Sequence, residues 1–214
     1  MNILVIGASG RVGSELVQQL LDKNHTVTGT SRDNKPLFDN PNYTHLALDL
    51  TADKEAVARQ VAGNYDAVYF TAGSGGKDVL GIDLHGAVKT MQAAQLKGLS
   101  RYIMLSAVFS LDTTKWTLPG IDQLKDYYIA KHYADQWLIH NSRLDYTIVQ
   151  AGALKEREPT GKIAINNDSA GENAIKDVAA TLASVLTANN TIKKVFSIQN
   201  GDTKIDDAVA TVNK

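Results

Sequence analysis

The chain has 214 residues, a formal net charge of −1 at pH 7 and no cysteine. Interspersed acids and bases exclude the basic stripe of a nucleic-acid binder, and the missing thiols exclude disulfides, thiolate metal sites and a cysteine nucleophile. No apolar run approaches the roughly 20 residues that cross a bilayer as a helix. The length fits one domain over residues 1–214, and a first strand beginning at Asn2 predicts that no signal peptide precedes it, so a cytoplasmic protein is expected.

Short apolar runs alternate with longer helical patterns along the chain. "NILVIG" reads as a strand covered on both faces. An amphipathic helix follows, with Val12, Leu16, Val17, Leu20 and Leu21 on one face. "HTVTGTS" and "THLALDL" read as the second and third strands, and "DKEAVARQVAG" as a helix closed by Gly63. "YDAVYFTAG" is the fourth strand. "LGIDLHGAVKTMQAAQLKG" is a helix ended by Gly98, and "SRYIMLSA" the fifth strand. A long helix over 121–141 leads to "LDYTIVQAG", then to the helix "NAIKDVAATLASVLT" and a last strand, "KKVFSIQN". Strand and helix in alternation predict a Rossmann-type α/β fold, a doubly wound parallel sheet in a three-layer αβα sandwich. Residues 107–120 and 153–173 read as irregular. Both follow strands, so both are expected at the carboxyl edge, with 153–173 forming a small substrate-side region. The final "DTKIDDAVATVNK" reads as a surface helix without chemistry.

Gly7, Gly10 and Gly13 lie between the first strand and the first helix. Gly7 permits a tight turn, Gly10 lets a ligand approach the backbone, and Gly13 lets the helix pack near the strand. The free N–H groups of the helix N-terminus and its partial positive charge then suit a diphosphate. Gly7, Ser9, Gly10, Arg11, Val12 and Gly13 are the expected contacts. The spacing is Gly-x-x-Gly-x-x-Gly.

"GASGRVG", "TAG", "MLSA" and "YIAKHYADQWLIHNSRLDYTIVQAGAL" together resemble the short-chain dehydrogenase/reductase superfamily, in particular its atypical NAD(P)H-binding, NmrA-like and biliverdin/flavin reductase-like members. That family usually has Arg-Pro-Gly where this chain has Gln150-Ala151-Gly152. The resemblance implies that Asp49 and Leu50 flank adenine and that Thr71, Ala72 and Gly73 line the ribose side. At the end of the second strand, Ser31 and Arg32 can donate to a 2′-phosphate, so NADP(H) is favoured over NAD(H), with Asp33 a possible partner of Arg32.

Tyr127 and Lys131 stand four apart on a predicted helix and share a face. With eight tyrosines in the chain, chance alone gives roughly 0.6 Tyr-x-x-x-Lys pairs, so location between the fifth and sixth strands carries the signal. The resemblance implies that Lys131 lowers the Tyr127 pKa and holds the nicotinamide ribose. Tyr127 then gives up a proton, and Ser106, or alternatively Ser110, steadies the substrate oxygen. Tyr128 and Tyr133 read as packing residues. The five histidines show no metal-ligand spacing, so no metal is expected. "KEREP" at 155–159 reads as a solvated loop rather than a clamp, and Phe109 and Trp116 fit either a nicotinamide cover or lid packing. These features favour an NADPH-dependent oxidoreductase of a small carbonyl, quinone or flavin. A non-catalytic NAD(P) sensor and a nucleotide-sugar epimerase or dehydratase are the alternatives. A small-molecule substrate, no nucleic acid, no membrane, and a monomer or weak homodimer are expected.

Overall fold

The computed structural model describes residues 1–212. Strand β1 (Asn2–Ile6) is the centre, with Ile3 to Ile6 fully enclosed, as its unbroken apolar run requires. It pairs in parallel with β2 (Thr26–Ser31) on one side and β4 (Ala67–Phe70) on the other. Beyond β2 lies β3 (Tyr43–Ala47). Beyond β4 come β5 (Arg101–Ala107), β6 (Asp145–Ala151) and β10 (Lys194–Asn200), all parallel. The order reverses at β1, and the crevice above β1 and β4 is the position where this architecture binds ligands.

Two helical layers cover the sheet. On one face, α1 (Arg11–Asp22) and α5 (Ile175–Ser184) bury Leu16, Leu20, Val178 and Leu182 against β1 and β4. On the other, α2 (Lys54–Gln60), α3 (Ala87–Leu96) and α4 (Lys125–Asn141) bury Val57, Met91, Ala94 and Leu138. Each such side chain contributes about 1.5–3 kcal/mol on leaving water.

The structure differs from the sequence expectations at four places. The sheet is not wholly parallel. Residues 153–173 supply β8 (Lys162–Ile165), antiparallel to β10, and β7 (Ala153–Lys155), which pairs with β9 (Glu172–Ala174) in a separate ribbon. A two-residue strand, β11 (Thr203–Lys204), completes the edge on β8. Helix α2 stops at Gln60, with Val61 as its cap. Gly63 instead makes room for the Tyr65 ring, which a Cβ there would meet at 2.6 Å. Gly98 does close α3, at φ +70°. Helix α6 (Ile205–Ala210) is not a bare surface helix, because Ile205, Ala208 and Val209 are buried on the α5 side of the sheet. Tyr133 is 59% exposed, its ring meeting that of His132 edge to face, whereas Tyr128 is buried as expected.

Two irregularities shape the carboxyl edge. The helix after β4 begins with a π-helical stretch, Val79–Gly86, whose extra residue per turn shifts the facing of the side chains, and Asp83 is buried there. After β5, Phe109 takes φ +60°, a strained conformation for an aromatic residue, and its carbonyl accepts from Trp116 Nε1 at 2.9 Å.

Candidate functional site

The glycine turn has the geometry that a close-approaching ligand needs. Gly7 has φ +92°, and a Cβ there would lie 2.5 Å from the Ala72 nitrogen; one on Gly13 would lie 2.1 Å from the Gly7 carbonyl oxygen. Neither position tolerates a side chain. Gly10 is the N-cap of α1. No side chain caps the helix, and its first turn holds no acid, so its free N–H groups have no carboxylate of their own helix beside them. The chemistry of this donor set fits a diphosphate. Ser9 and Arg11 are exposed at its rim, while the Val12 side chain enters the core and leaves only its backbone for the turn. Arg11 Nη1 lies 3.9 Å from Glu156 Oε1, so the "KEREP" loop reaches the same rim.

At the end of β2, Ser31 is buried and donates to the Asp33 carbonyl at 3.0 Å; His45 Nε2 lies 2.6 Å from the same oxygen. Ser31 is therefore occupied as a donor, and the two side chains together fix the turn that carries Arg32. Arg32 is exposed and makes no ion pair among the described residues, with Asp33 or otherwise. After β3, Asp49 Oδ1 accepts from the Thr51 amide and hydroxyl, which hold its carboxyl below the ordinary value. Leu50 is buried against the π turn. The buried Lys89 ties this loop to α3 through the Ala52 carbonyl, at 2.6 Å. Thr71 Oγ1 donates to the Ile6 carbonyl, Ala72 lies against Gly7, and Gly73 is exposed beside Asp83.

Beyond the crevice, a cleft of about 470 Å³ opens at the carboxyl ends of β5 and β6, with Arg11, Ser106, Tyr127, Gly152 and Glu172 among its walls. A depression of about 550 Å³ near Leu96, Trp137 and Arg143 lies at the opposite edge of the sheet, away from every nominated residue. Tyr127 and Lys131 share the inner face of α4, as their spacing predicts. Lys131 is buried and donates to the Leu105 carbonyl at 2.8 Å; burial lowers its pKa against the pull of Asp135 and Asp83. The expectation that Lys131 lowers the Tyr127 pKa does not hold in this arrangement. Burial first, then Asp83, Tyr128 and Asp135, push the phenol up.

Sequence reading passed over the residues that organise this cluster. Asp135, one further turn along α4, is fully buried and accepts from Ser106 Oγ at 2.6 Å and Ser110 Oγ at 2.5 Å. Gln150 Nε2 donates to Ser110 Oγ at 2.7 Å. Asp83 accepts from the Ser74 amide at 2.9 Å. The repeat Tyr127-x-x-x-Lys131-x-x-x-Asp135 was a readable signal for Asp135. Asp83 had none, because only the π turn carries it inward. Among the described residues, no cluster of three or more His, Asp or Glu is arranged to hold a metal ion, and no helix is long and apolar enough to cross a membrane.

Comparison with known proteins agrees with this geometry. Residues 7–189 match the NAD(P)H-binding family model. The crystal structure of the oxidoreductase ylbE from Lactococcus lactis is 42% identical, with TM-score 0.95 over 99% of this chain and 96% of that one. An uncharacterized sugar epimerase, YhfK, of Bacillus subtilis (strain 168) is 34% identical over 98% of this chain and 99% of its own length. ChuY, an anaerobillin reductase from Escherichia coli O157:H7, shares the fold at 23% identity and TM-score 0.79, over 95% and 99% of the two chains. A glycine nest above a reversing parallel sheet, the matching family model and these full-length relatives lead to one conclusion: the chain belongs to the NAD(P)H-binding family.

Proposed function

We propose that the protein is an NADPH-dependent oxidoreductase that reduces a small carbonyl, quinone or flavin in the cleft beside Tyr127. The observation that carries this reading is the juxtaposition of two features. One is the uncapped, acid-free N-terminus of α1; the other is Tyr127 on the wall of the adjoining cleft, with the buried Lys131 one turn further along α4. The dinucleotide, when bound, supplies a hydride from nicotinamide C4.

The chain's own residues supply the rest. The α1 N–H groups hold the diphosphate, and Ser9 and Arg11 add donors at its rim. Arg32, on the turn fixed by Ser31 and His45, meets the ribose 2′-phosphate with two N–H groups. Asp49, Leu50, Thr71, Ala72 and Gly73 frame the adenosine. Lys131 holds the nicotinamide ribose hydroxyls with the protons that Leu105 leaves free. Tyr127 delivers the proton that balances the hydride, so that a carbonyl becomes an alcohol. A member of this family with such a site needs no metal for that balance.

One observation favours a second reading, a cofactor-binding sensor without turnover. The Tyr127 phenol is held above its ordinary pKa, which weakens it as an acid. Calorimetric titration with NADPH and NADH, followed by an acceptor screen, separates the two. Turnover that falls at least tenfold in Tyr127→Phe supports the reductase. Tight, redox-selective binding without turnover of any acceptor supports the sensor. NADH binding as tight as NADPH overturns the assignment to Arg32. Epimerisation of a sugar, the activity in the name of the uncharacterized Bacillus relative, is the third outcome to assay, with a nucleotide sugar as the probe.

A further inference from the structure

The serine on the cleft wall is wired in the opposite sense from the one its position implies. Gln150 Nε2 donates to Ser110 Oγ, so Ser110 must give its single proton elsewhere, and the partner within reach is Asp135 Oδ2. Ser106 Oγ lies 2.6 Å from the same oxygen and donates to it as well. Asp135 Oδ1 is buried without a hydrogen bond of ordinary geometry, Oδ2 takes both hydroxyls, and the Gln150 amide lies close enough to favour the charged carboxyl. That oxygen accepts from both hydroxyls in either charge state of the carboxyl, whose pKa burial raises against the pull of the buried Lys131 one helical turn away. Ser110 is fully buried, but Ser106 forms part of the cleft wall. With its proton turned inward, Ser106 shows the cleft only lone pairs.

We infer that Asp135 makes Ser106 a hydrogen-bond acceptor toward the cleft, so that the site selects an oxidised substrate carrying an N–H or O–H donor that meets Ser106. This rests on the reductase reading above and specifies its substrate class: a cyclic imide, lactam or hydroxylated acceptor in preference to a bare ketone or an N-alkylated ring. Asp135 is a positioning residue here, acting through Ser106. Gln150 belongs to the same device. Its neutral amide anchors Ser110 from β6.

The test uses matched probes that differ by one donor: isatin against N-methylisatin, and riboflavin against N3-methylriboflavin, each with NADPH. The wild-type protein should reduce the N–H member of each pair with kcat/KM at least about tenfold higher, because a site built around a hydrogen bond rejects the analogue that lacks it. In Ser106→Ala the preference should vanish because the N–H member falls further than the N-methyl member. A preference that vanishes because the N-methyl member rises reports crowding and overturns the inference. In Asp135→Ala, Ser106 is free to turn its proton outward, and the ratio should drop toward one while NADPH still binds. Asp135→Asn is the fallback if that variant does not fold, and it should lower the ratio at least threefold. Equal rates within both pairs, or no turnover of any probe by a protein that binds NADPH, overturn the inference. Failure to bind NADPH sinks the reading beneath it.

Discussion

The two halves of the carboxyl edge are built from different material. The β1–β3 half forms its ligand surface from main chain: the turn at Gly7 to Gly13 presents N–H groups, and its nearby charged side chains, Arg11, Arg32 and Asp49, are exposed. The β5–β6 half buries its charges: Lys131, Asp135 and Asp83 are each at most 3% exposed. A main-chain cradle tolerates no added atom, whereas a buried ionic cluster tolerates no missing one. Binding a diphosphate that every substrate shares suits the first. Discriminating one substrate from another suits the second, because buried polar groups left unpaired cost the most.

The largest effect should come from unbalancing the cluster. Lys131→Ala leaves Asp135 buried without its counter-charge and should cost about 3–5 kcal/mol in urea unfolding. Lys131→Met with Asp135→Leu removes both charges and should recover at least half of that loss. If the single variant costs no more than a surface lysine, the contrast between the halves fails.

In the main-chain half, Gly13→Ala places a Cβ 2.1 Å from the Gly7 oxygen. It should weaken dinucleotide binding by about 100-fold in calorimetry, equivalent to about 2.7 kcal/mol, as the turn opens to relieve the clash. Gly10→Ala meets nothing nearer than 3.3 Å within the protein. A loss of affinity there without loss of stability would report contact with the ligand itself. Arg32→Ala should weaken NADPH about tenfold and leave NADH unchanged, and rising salt should narrow the difference between the cofactors in the wild type.

The smallest effects are in the pH dependence, where the halves carry opposite signs. Asp135 has a carboxyl raised by burial above the ordinary 3.8. Its contribution to stability is therefore greatest below that value and is lost as pH rises through the raised folded value. Asp49 is lowered by its Thr51 hydrogen bonds. Its contribution is present above the ordinary value and lost as pH falls through the lowered one, and its exposure keeps it small. Denaturation of Asp135→Asn and Asp49→Asn across pH 3–7 should show wild-type-minus-variant differences that slope in opposite directions.

Much of this was legible in the chain. Seven parallel strands were readable: the inner ones as apolar runs covered on both faces, such as β1, and β2 from its Thr and Val. The glycine spacing located the cradle, and the four-residue spacing of Tyr127 and Lys131 located the inner face of α4. Less legible was the edge: "KIAI" is too short and too ordinary to announce β8, which exists because β10 offers it an open partner. Gly63 misled for a related reason. A glycine after a helix reads as a cap, yet here the Tyr65 ring claims its space.

What the sequence determined by itself is whatever depends on neighbours a few residues apart: the alternation of elements, the cradle, the shared face of α4. What only the tertiary structure decided is the direction of the hydrogen bonds in the cleft. Ser110 meets Asp135 across 25 residues and Gln150 across 40, and a hydroxyl is donor or acceptor only according to which partners the fold brings to it. Its proton has no preferred direction in the chain, so no local pattern records it.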